Sequence, residues 1–352
     1  MNGSTPAFAR AQYDERGAFR EGRAAEIAIL RRAGYKSASL GRILEGHFNG
    51  VLLAALFGTR EQRAQALDDS TSGHIFGVWN TQDGNPVSIH PFDDGFVLRG
   101  SKTWASGAGS VSRPIVTART RDGRAQMCLV RMERVEVAID ASAWKPLGME
   151  DSNSFSVSFD GVRLDRDDLI GAPGDYERQP WFGGGALRFV AVQTGIVERL
   201  FDETASYVRR AGRQNDAMPC ARIGTMRIGL HSAFNWLDAG VAAWEAFDSE
   251  RSAEAAERVT DLADMARLAL ERIALDAIEG SVRSVGARGL IEPQPFPSLI
   301  RDLEMYLRQP APDAALLRVA SSGLRASESA KEGGGDFDRL RGVEAPAVGL
   351  RL

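Results

Sequence analysis

The sequence predicts an α+β protein with N-terminal helices, a central antiparallel β sandwich or barrel, and a C-terminal antiparallel helical bundle. Two observations predict this class. Apolar residues recur at helical spacing near both ends of the 352-residue chain. The stretch between them contains short β-type segments with no helical segment separating them. We place the region boundaries at residues 1–73, 74–172 and 173–325, followed by a tail over 326–352.

The N-terminal region is predicted to be helical from about Tyr13 to Asp69. Apolar residues follow a helical period in two successive groups, and the second group runs from Leu40 to Leu56. Glycine is common at helix ends because it adopts backbone conformations that other residues avoid. Gly34 and Gly58 are therefore predicted to end these helices.

The middle region, from about Ile75 to Ile170, is predicted to contain six or seven short strands. Phe155–Phe159 alternates strictly between apolar and hydroxyl side chains, which is typical of a strand with one buried face. The turn-forming segment Pro91–Gly95 precedes another apolar stretch. Because no helix intervenes, a doubly wound parallel sheet is not expected.

The C-terminal region carries long apolar stripes at helical spacing. They run over residues 187–208, 223–241 and 262–275, with shorter candidates at 299–307 and 314–319. Three helices of this length favour an antiparallel bundle. The tail from Ala326 contains three consecutive glycines and is expected to be loosely ordered.

The composition argues against several classes of protein. A formal net charge of −4 does not favour nucleic-acid binding. Two distant cysteines, Cys128 and Cys220, do not support a disulfide scaffold, and no apolar run is long enough for a membrane span. The N-terminal sequence lacks signal- and transit-peptide features, so a cytoplasmic location is expected. The four histidines show no metal-ligand spacing, so no metal site is expected.

Arginine strongly outnumbers lysine. Only four of the 43 basic residues are lysine. A GC-rich genome would produce this bias, but arginine is also the side chain whose planar fork matches phosphate and carboxylate groups. Composition alone does not choose between these interpretations.

An ordered series of motifs resembles the acyl-CoA dehydrogenase family. It begins with Phe76–Gln82 and Leu98–Gly107, and it continues with Leu147–Ser154. Gly286–Gly289 and Ile300–Leu303 look like the family's glycine-rich segment and its arginine–aspartate helix. The resemblance covers roughly residues 40 to 320, and it implies the family's fold and FAD as the cofactor.

The resemblance also implies which residues contact the flavin. The matching positions are Trp104, Ala105 and Ser106 beside the isoalloxazine ring and its N5 atom, and Trp79, Asn80 and Thr81 on its pyrimidine side. A flat apolar neighbour and a hydrogen-bond donor near N5 suit flavin chemistry. Without the resemblance, Trp104 would be interpreted as an ordinary aromatic residue of a sheet and Ser106 as an ordinary turn residue.

Several arginines match positions near phosphate groups in the family. Arg213 corresponds to an arginine that reaches the FAD pyrophosphate of the neighbouring subunit, although a cation at a helix C-terminus also compensates the helix dipole. Arg283 or Arg288 could act similarly at the glycine-rich segment. Arg188 matches an arginine at the start of the first long helix and is assigned to substrate binding.

The sequence departs from the family at the catalytic base. The family usually has a glutamate nine residues after the arginine matched by Arg301, and a minority have one just before the arginine matched by Arg188. Pro310 and Leu187 occupy these positions here. Asp313 is a weak replacement candidate, because Pro-Asp before an apolar run is also typical of a helix N-cap. Glu45 is a further weak candidate.

Two other departures bear on the substrate. The N-terminal region is about half the length that the family carries, which predicts a more open site or a bulkier substrate. Gln82-Asp83-Gly84 also stands where the family has glutamate-proline-glycine.

Three functions follow from the resemblance and its departures. The favoured one is an FAD-dependent oxidoreductase that dehydrogenates an acyl thioester or related acyl substrate and passes electrons to an electron-transfer flavoprotein. The second is a flavin monooxygenase or oxidase on the same fold, and the third is a catalytically degenerate binding or assembly subunit. A homodimer or homotetramer is expected, with the C-terminal helices at the interface.

Overall fold

Helices at both ends of the chain enclose two small β-sheets. The computed structural model describes residues 12–81, 84–308 and 311–333. The helices are α1 (Arg23–Lys36), α2 (Ala38–Phe57), α3 (Arg60–Thr71), α4 (Ala186–Arg210), α5 (Ala217–Glu250), α6 (Ala253–Gly289), α7 (Phe296–Leu307) and α8 (Pro312–Gly333). The predicted order of helices, sheets and helices is therefore confirmed.

The N-terminal helices end where local capping predicts, with one exception. Gly58 is the C-cap of α2, as expected, and its N–H donates to the carbonyl of Ala54. Gly34 does not end α1, which continues to Lys36. It instead allows α1 to cross α4 closely, because a Cβ atom at Gly34 would lie 2.0 Å from the carbonyl oxygen of Val192. The prediction that Gly34 ends a helix is wrong.

In the described residues of the middle region, ten short strands form two sheets. The strands are β1 (Phe76–Trp79), β2 (Ser88–Phe92), β3 (Gly95–Arg99), β4 (Ser101–Ala105), β5 (Arg113–Arg119), β6 (Ala125–Leu129), β7 (Ala138–Asp140), β8 (Phe155–Ser158), β9 (Arg163–Leu164) and β10 (Leu169–Ile170). The larger sheet has the order β10-β6-β5-β2-β3-β9 with β1 also paired to β5, and the smaller has the order β4-β8-β7. Most pairs are antiparallel as predicted, but β5 pairs in parallel with β1 and β2.

Both faces of the larger sheet are covered at its centre. Ile115 on β5 packs into the core shared with the helices, whereas its neighbour Val116 packs into the interior between the sheets. On β6, Met127 faces the helical core and Cys128 the inter-sheet interior. Because successive strand residues point to opposite faces, these strands join the two cores.

The C-terminal helices form the predicted bundle, and they are longer than predicted. The longest, α6, spans 37 residues and is interrupted at Gly286, which has a φ of 66°. The last helix, α8, continues to Gly333, so the first residues of the predicted tail are helical. Residues 334–352 lie outside the described part.

Candidate active site

Trp104 is turned out of its strand by a break in the sheet. The pairing of β4 with β8 shifts register between Lys102 and Ala105, and Trp104 adopts a φ of 56°. Its side chain is 46% exposed, which is unusual for an aromatic residue inside a strand. Its indole packs edge-to-face against that of Trp144, with ring centroids 5.6 Å apart. The bulge therefore presents one face of Trp104 to a cavity.

Two adjacent cavities border Trp104. One, which we call the outer cleft, has a volume of about 550 Å³ and is lined by Arg42, Thr81, Trp104, Ser106, Leu147, Glu304, Met305 and Arg308. The other, the inner pocket, has a volume of about 370 Å³ and extends between the sheets and helices α2, α4 and α6. Arg42, Thr81 and Trp104 line both, so these residues lie where the two cavities adjoin.

The structure brings together four of the six residues predicted to contact the flavin. Trp104 and Thr81 line both cavities, Asn80 lines the inner pocket and Ser106 the outer cleft. Trp79 is 1% exposed in the inter-sheet core, where its Nε1 donates to the carbonyl of Ser106 at 3.0 Å. Ala105 is also fully buried. Trp79 can therefore support Ser106, but its side chain lies away from both cavities.

A buried lysine holds Asn80 in place. The Nζ of Lys102 donates to the carbonyl of Asn80 at 3.0 Å and to the hydroxyl of Thr117 at 3.1 Å. That hydroxyl donates in turn to Oδ1 of Asn80 at 2.7 Å. Because Oδ1 is engaged, the amide NH₂ of Asn80 is the group left for the inner pocket. Burial lowers the pKa of the Lys102 ammonium to about 7.

Arg188 lies in a buried network of charges at the floor of the inner pocket. Its guanidinium donates to Glu45 at 3.4 Å and to the amide oxygen of Asn49 at 2.8 Å. Glu45, only 2% exposed, also accepts from Arg42 at 2.5 Å. The network extends to Glu26, 3.8 Å from Arg188. Both Arg42 and Arg188 thus contact the Glu45 carboxylate, so its oxygens are engaged by neighbouring side chains.

The two positions expected for a catalytic base supply none in the described residues. Leu187 is buried and apolar, and Pro310 lies outside the described part. Asp313 is exposed in the first turn of α8, one residue past its start, and lines neither cavity. It is therefore not the N-cap residue, although its charge still suits the helix dipole.

Sequence reasoning missed Glu304. This carboxylate lines the outer cleft beside Met305 and has no ion-pair or hydrogen-bond partner among the described residues. The other two carboxylates of the cavities are paired: Glu45 as described, and Asp264 with Arg318 at 2.7 Å. The signal for Glu304 was helical spacing, because it follows Arg301 by three residues and so shares its side of α7.

Arg213 and Arg283, which were predicted near phosphate groups, lie near the break in α6 and away from both cavities. Arg213, at the turn between α4 and α5, donates to the carbonyl of Ser284 at 3.0 Å and to Asp216 at 2.9 Å. Arg222 donates to the carbonyl of Arg283 at 3.1 Å. These contacts lie beside the break in α6 at Gly286, so Arg213 and the glycine-rich segment are neighbours in the fold. None of them lines the outer cleft or the inner pocket.

Neither a metal cluster nor a membrane span is found in the described ranges. No three side chains among their His, Cys, Asp and Glu residues are placed to hold a metal ion. None of their helices combines the length and apolar character that a bilayer crossing requires.

The fold is that of the acyl-CoA dehydrogenase family. No family profile matches the chain. In structure it resembles the dibenzothiophene monooxygenase TdsC of Paenibacillus sp. A11-2, solved with FMN and indole, with a TM-score of 0.80 and 22% identity over 88% of this chain and 86% of that one.

Curated relatives include both oxygenases and dehydrogenases. A dibenzothiophene monooxygenase of Rhodococcus qingshengii is 25% identical over 210 residues, covering 53% of this chain and 49% of the relative. Probable acyl-CoA dehydrogenase YngJ of Bacillus subtilis is 25% identical over 168 residues, covering 44% of each chain. The matched segments thus span about half or less of these relatives.

Proposed function

We propose that this protein is a flavin-dependent oxidoreductase of the monooxygenase type that acts on a small aromatic substrate in the inner pocket. The observation that carries the proposal is that arginines pair with both carboxylates of the pocket. Glu45 and Asp264 are both held by arginines, and the position before Arg188 is a buried leucine. Acyl dehydrogenation needs a base for the α proton, whereas oxygen activation does not.

The residues of the outer cleft suit a flavin. The exposed indole of Trp104 and the side chains of Leu147 and Met305 offer apolar surface to a flat ring, and the hydroxyls of Thr81 and Ser106 offer hydrogen-bond donors at its edge. When bound, a flavin would supply the electron transfer to oxygen. The chain would bind and orient that ring, and would keep water from the substrate in the inner pocket.

The comparisons favour the same assignment. Dibenzothiophene monooxygenases are among the curated relatives, and a structural neighbour was solved with FMN and indole in a complex. The aromatic lining of the inner pocket suits a ring-shaped molecule of similar size, and its residues include Trp104, Tyr176, Trp181 and Phe189.

Replacing Trp104 tests the cofactor site. We expect Trp104→Ala to weaken flavin binding about tenfold, because it removes the stacking surface and its buried area. The measurement is titration of flavin fluorescence with purified protein. Phe92→Ala is the matched control, since Phe92 is an exposed aromatic of β2 outside the cleft. Equal affinities of wild type and Trp104→Ala would remove the cleft as the flavin site.

FAD is proposed as the natural cofactor because of the arginines near Gly286. A pyrophosphate, which FAD has and FMN lacks, would suit the forked donors of Arg213 and Arg283 in a second subunit. We also infer a homo-oligomer, because exposed apolar residues such as Met218 and Ile228 on α5 suit a subunit contact. A cytoplasmic location is proposed from the N-terminal sequence alone.

Dehydrogenation of an acyl thioester is the second candidate, and Glu304 favours it. This unpaired carboxylate on the outer cleft would accept the α proton while the β hydride passes to the flavin. Anaerobic bleaching of bound flavin by acyl-CoA thioesters would then occur and be lost in Glu304→Gln. Asp313→Asn, which changes an exposed carboxylate outside the cleft, should leave bleaching intact. No bleaching at any chain length would eliminate this candidate.

A further inference from the structure

Three serine hydroxyls form a hydrogen-bonded chain that ends at the outer cleft. Oγ of Ser152 lies 2.9 Å from Oγ of Ser154, which in turn lies 2.9 Å from Oγ of Ser106. Ser152 is 1% exposed and Ser154 7%, whereas Ser106 is half-buried and lines the cleft. The chain of hydroxyls therefore runs from the interior of the protein to the wall of the cleft.

Backbone contacts hold the two segments of this chain together. The N–H of Gly107 donates to the carbonyl of Ser152 at 2.7 Å. The carbonyl of Ser106 accepts from Trp79 Nε1 at 3.0 Å, and its N–H donates to the carbonyl of Trp104 at 2.9 Å. Because both backbone groups of Ser106 are engaged, its hydroxyl is the polar group that remains for a ligand in the cleft.

The burial of Ser152 fixes the direction of the hydrogen bonds. A serine hydroxyl has one proton to donate and lone pairs that accept. If Ser106 donated inward, the last proton of the chain would lie on Ser152, which has no acceptor for it among the described residues. If Ser154 accepted from both neighbours, its own proton would be left in the same way. A buried donor without an acceptor is unfavourable, so Ser152 donates to Ser154 and Ser154 donates to Ser106.

In this order, the proton that remains for a ligand lies on Ser106 at the cleft. A hydroxyl that accepts a hydrogen bond is polarised by it and becomes a stronger donor. A ligand opposite Ser106 therefore needs an acceptor atom there. A flavin carries such atoms along its edge, as ring nitrogens and carbonyl oxygens.

We propose that Ser152 and Ser154 are positioning residues that fix the Ser106 hydroxyl as a hydrogen-bond donor to a ring nitrogen or carbonyl oxygen of the flavin. This proposal rests on the proposed function in taking a flavin as the occupant of the outer cleft. Neither Ser152 nor Ser154 lines that cleft, so both act on the flavin only through Ser106.

A double-mutant cycle tests whether Ser154 acts through Ser106. FMN is titrated against the full-length protein, and both its affinity and the position of the long-wavelength absorption band of the bound flavin are measured. We expect Ser106→Ala to weaken binding about tenfold and Ser154→Ala about threefold, since the first removes one hydrogen bond and the second weakens it. The band should shift in the same direction in both, and the double variant should equal Ser106→Ala alone. Additive losses, or an unchanged band in Ser154→Ala, would overturn the proposal.

Ser156→Ala is the matched control. Ser156 follows Ser154 by two residues, pairs with Asp140 in the smaller sheet, and lines neither the outer cleft nor the inner pocket. FMN affinity and the absorption band of this variant should equal those of the wild type. If Ser156→Ala shifted the band as Ser154→Ala does, the effect would belong to the strand in general and the proposal would fail.

Two further variants test the hydroxyl chain itself. Ser154→Thr keeps a hydroxyl and should restore the wild-type band. Ser154→Ala leaves the Ser152 hydroxyl without an acceptor, so its melting temperature should fall, and adding Ser152→Ala should recover part of that fall. No recovery would contradict the direction assigned to the chain.

The analogue 5-deaza-FMN, in which a C–H group replaces the ring nitrogen N5, identifies the acceptor atom. If N5 accepts from Ser106, the serine variants should bind this analogue as the wild type does, and if a carbonyl oxygen accepts, the same losses should remain. Flavin uptake with additive losses would refute this proposal alone. No flavin uptake by the wild type would refute the proposed function and this proposal with it.

Discussion

At the scale of single residues, the site depends on side chains whose direction only the fold decides. The order of motifs singled out Trp104, Thr81, Asn80 and Ser106, and the fold brings these four residues to one pair of cavities. It could not show that Trp79 points into the inter-sheet core, because strand neighbours face opposite ways and the sequence does not reveal which face is inside. The roles of these residues in binding remain predictions.

Residues from distant segments were harder to find. Arg42, Trp181 and Glu304 come together from α2, the loop before α4, and α7. Each has an ordinary local setting, and only the packing of those elements places Trp181 on the inner pocket, Glu304 on the outer cleft and Arg42 on both. Sequence spacing within one helix could have linked Arg42 to Glu45, but not either of them to Trp181.

Lys102→Met should change how stability depends on pH. Burial lowers the Lys102 pKa from 10.5 to about 7, so between these values the unfolded chain binds the proton that the folded chain lacks. The wild type's free energy of unfolding should therefore rise with pH, relative to the variant, by up to about 1.4 kcal/mol per pH unit. Denaturant unfolding from pH 7 to 10 measures it.

Lys145→Met provides the comparison for this prediction, because Lys145 is exposed beside Trp144. Its unfolding free energy should run parallel to that of the wild type across the same pH range. Parallel curves for Lys102→Met as well would show that Lys102 keeps an ordinary pKa.

Asp69→Asn should strongly destabilise the protein. Burial alone would raise the pKa of Asp69, but hydrogen bonds from Arg113 and Gln65 hold it below its usual value. Arg113 is 4% exposed and lies 2.6 Å from Asp69, so the variant leaves a buried cation with a weaker partner. We expect a loss of about 3 kcal/mol at neutral pH by denaturant unfolding. Because the stabilising form is the carboxylate, wild type and variant should converge as the pH falls through the Asp69 pKa.

At the scale of elements, the crossing of α1 and α4 depends on two glycines. A Cβ atom at Gly34 would lie 2.0 Å from the Val192 carbonyl oxygen, and one at Gly195 would lie 2.0 Å from that of Arg31. Helical periodicity predicted both helices, yet glycine within α1 was interpreted as an end signal. Glycine both permits the close approach of two helices and commonly ends a helix, so the sequence alone does not show which role a given glycine has.

Gly34→Ala should force these helices apart. We expect a loss of about 2–3 kcal/mol, because backbone atoms cannot move away as a flexible side chain can. Gly224→Ala is the control, since nothing lies within 4 Å of a Cβ atom there and α5 continues through it. That variant should gain about 0.5–1 kcal/mol from helix propensity. Thermal unfolding of both compares them, and a neutral Gly34→Ala would contradict the packing.

At the scale of the whole molecule, the sequence predicted the arrangement of regions because patterning differs sharply between them. The parallel pairing of β1 with β5 was not predictable, since it depends on how the first strand enters from α3. The arginine bias also becomes interpretable only in the fold. Some arginines, such as Arg124, Arg258 and Arg272, form exposed ion pairs, whereas others gather at the inner pocket and near Gly286.

Arg213→Gln should separate the two flavin cofactors. If Arg213 contacts a pyrophosphate from a second subunit, FAD affinity should fall about tenfold and FMN affinity should stay unchanged. Arg272→Gln, on the exposed side of α6, is the control. Equal losses for both cofactors, or none, would contradict the assignment of FAD, and light scattering on the same samples would report the number of subunits.

The most direct test of the central claim is the origin of oxygen in the product. The protein is incubated with flavin, a reducing system and an aromatic probe such as indole under ¹⁸O₂, and the product is analysed by mass spectrometry. We predict that one ¹⁸O atom enters the product in wild type and that Trp104→Ala reduces the yield. An unlabelled or absent product, together with anaerobic reduction of the bound flavin by an acyl-CoA thioester, would contradict the account and identify a dehydrogenase.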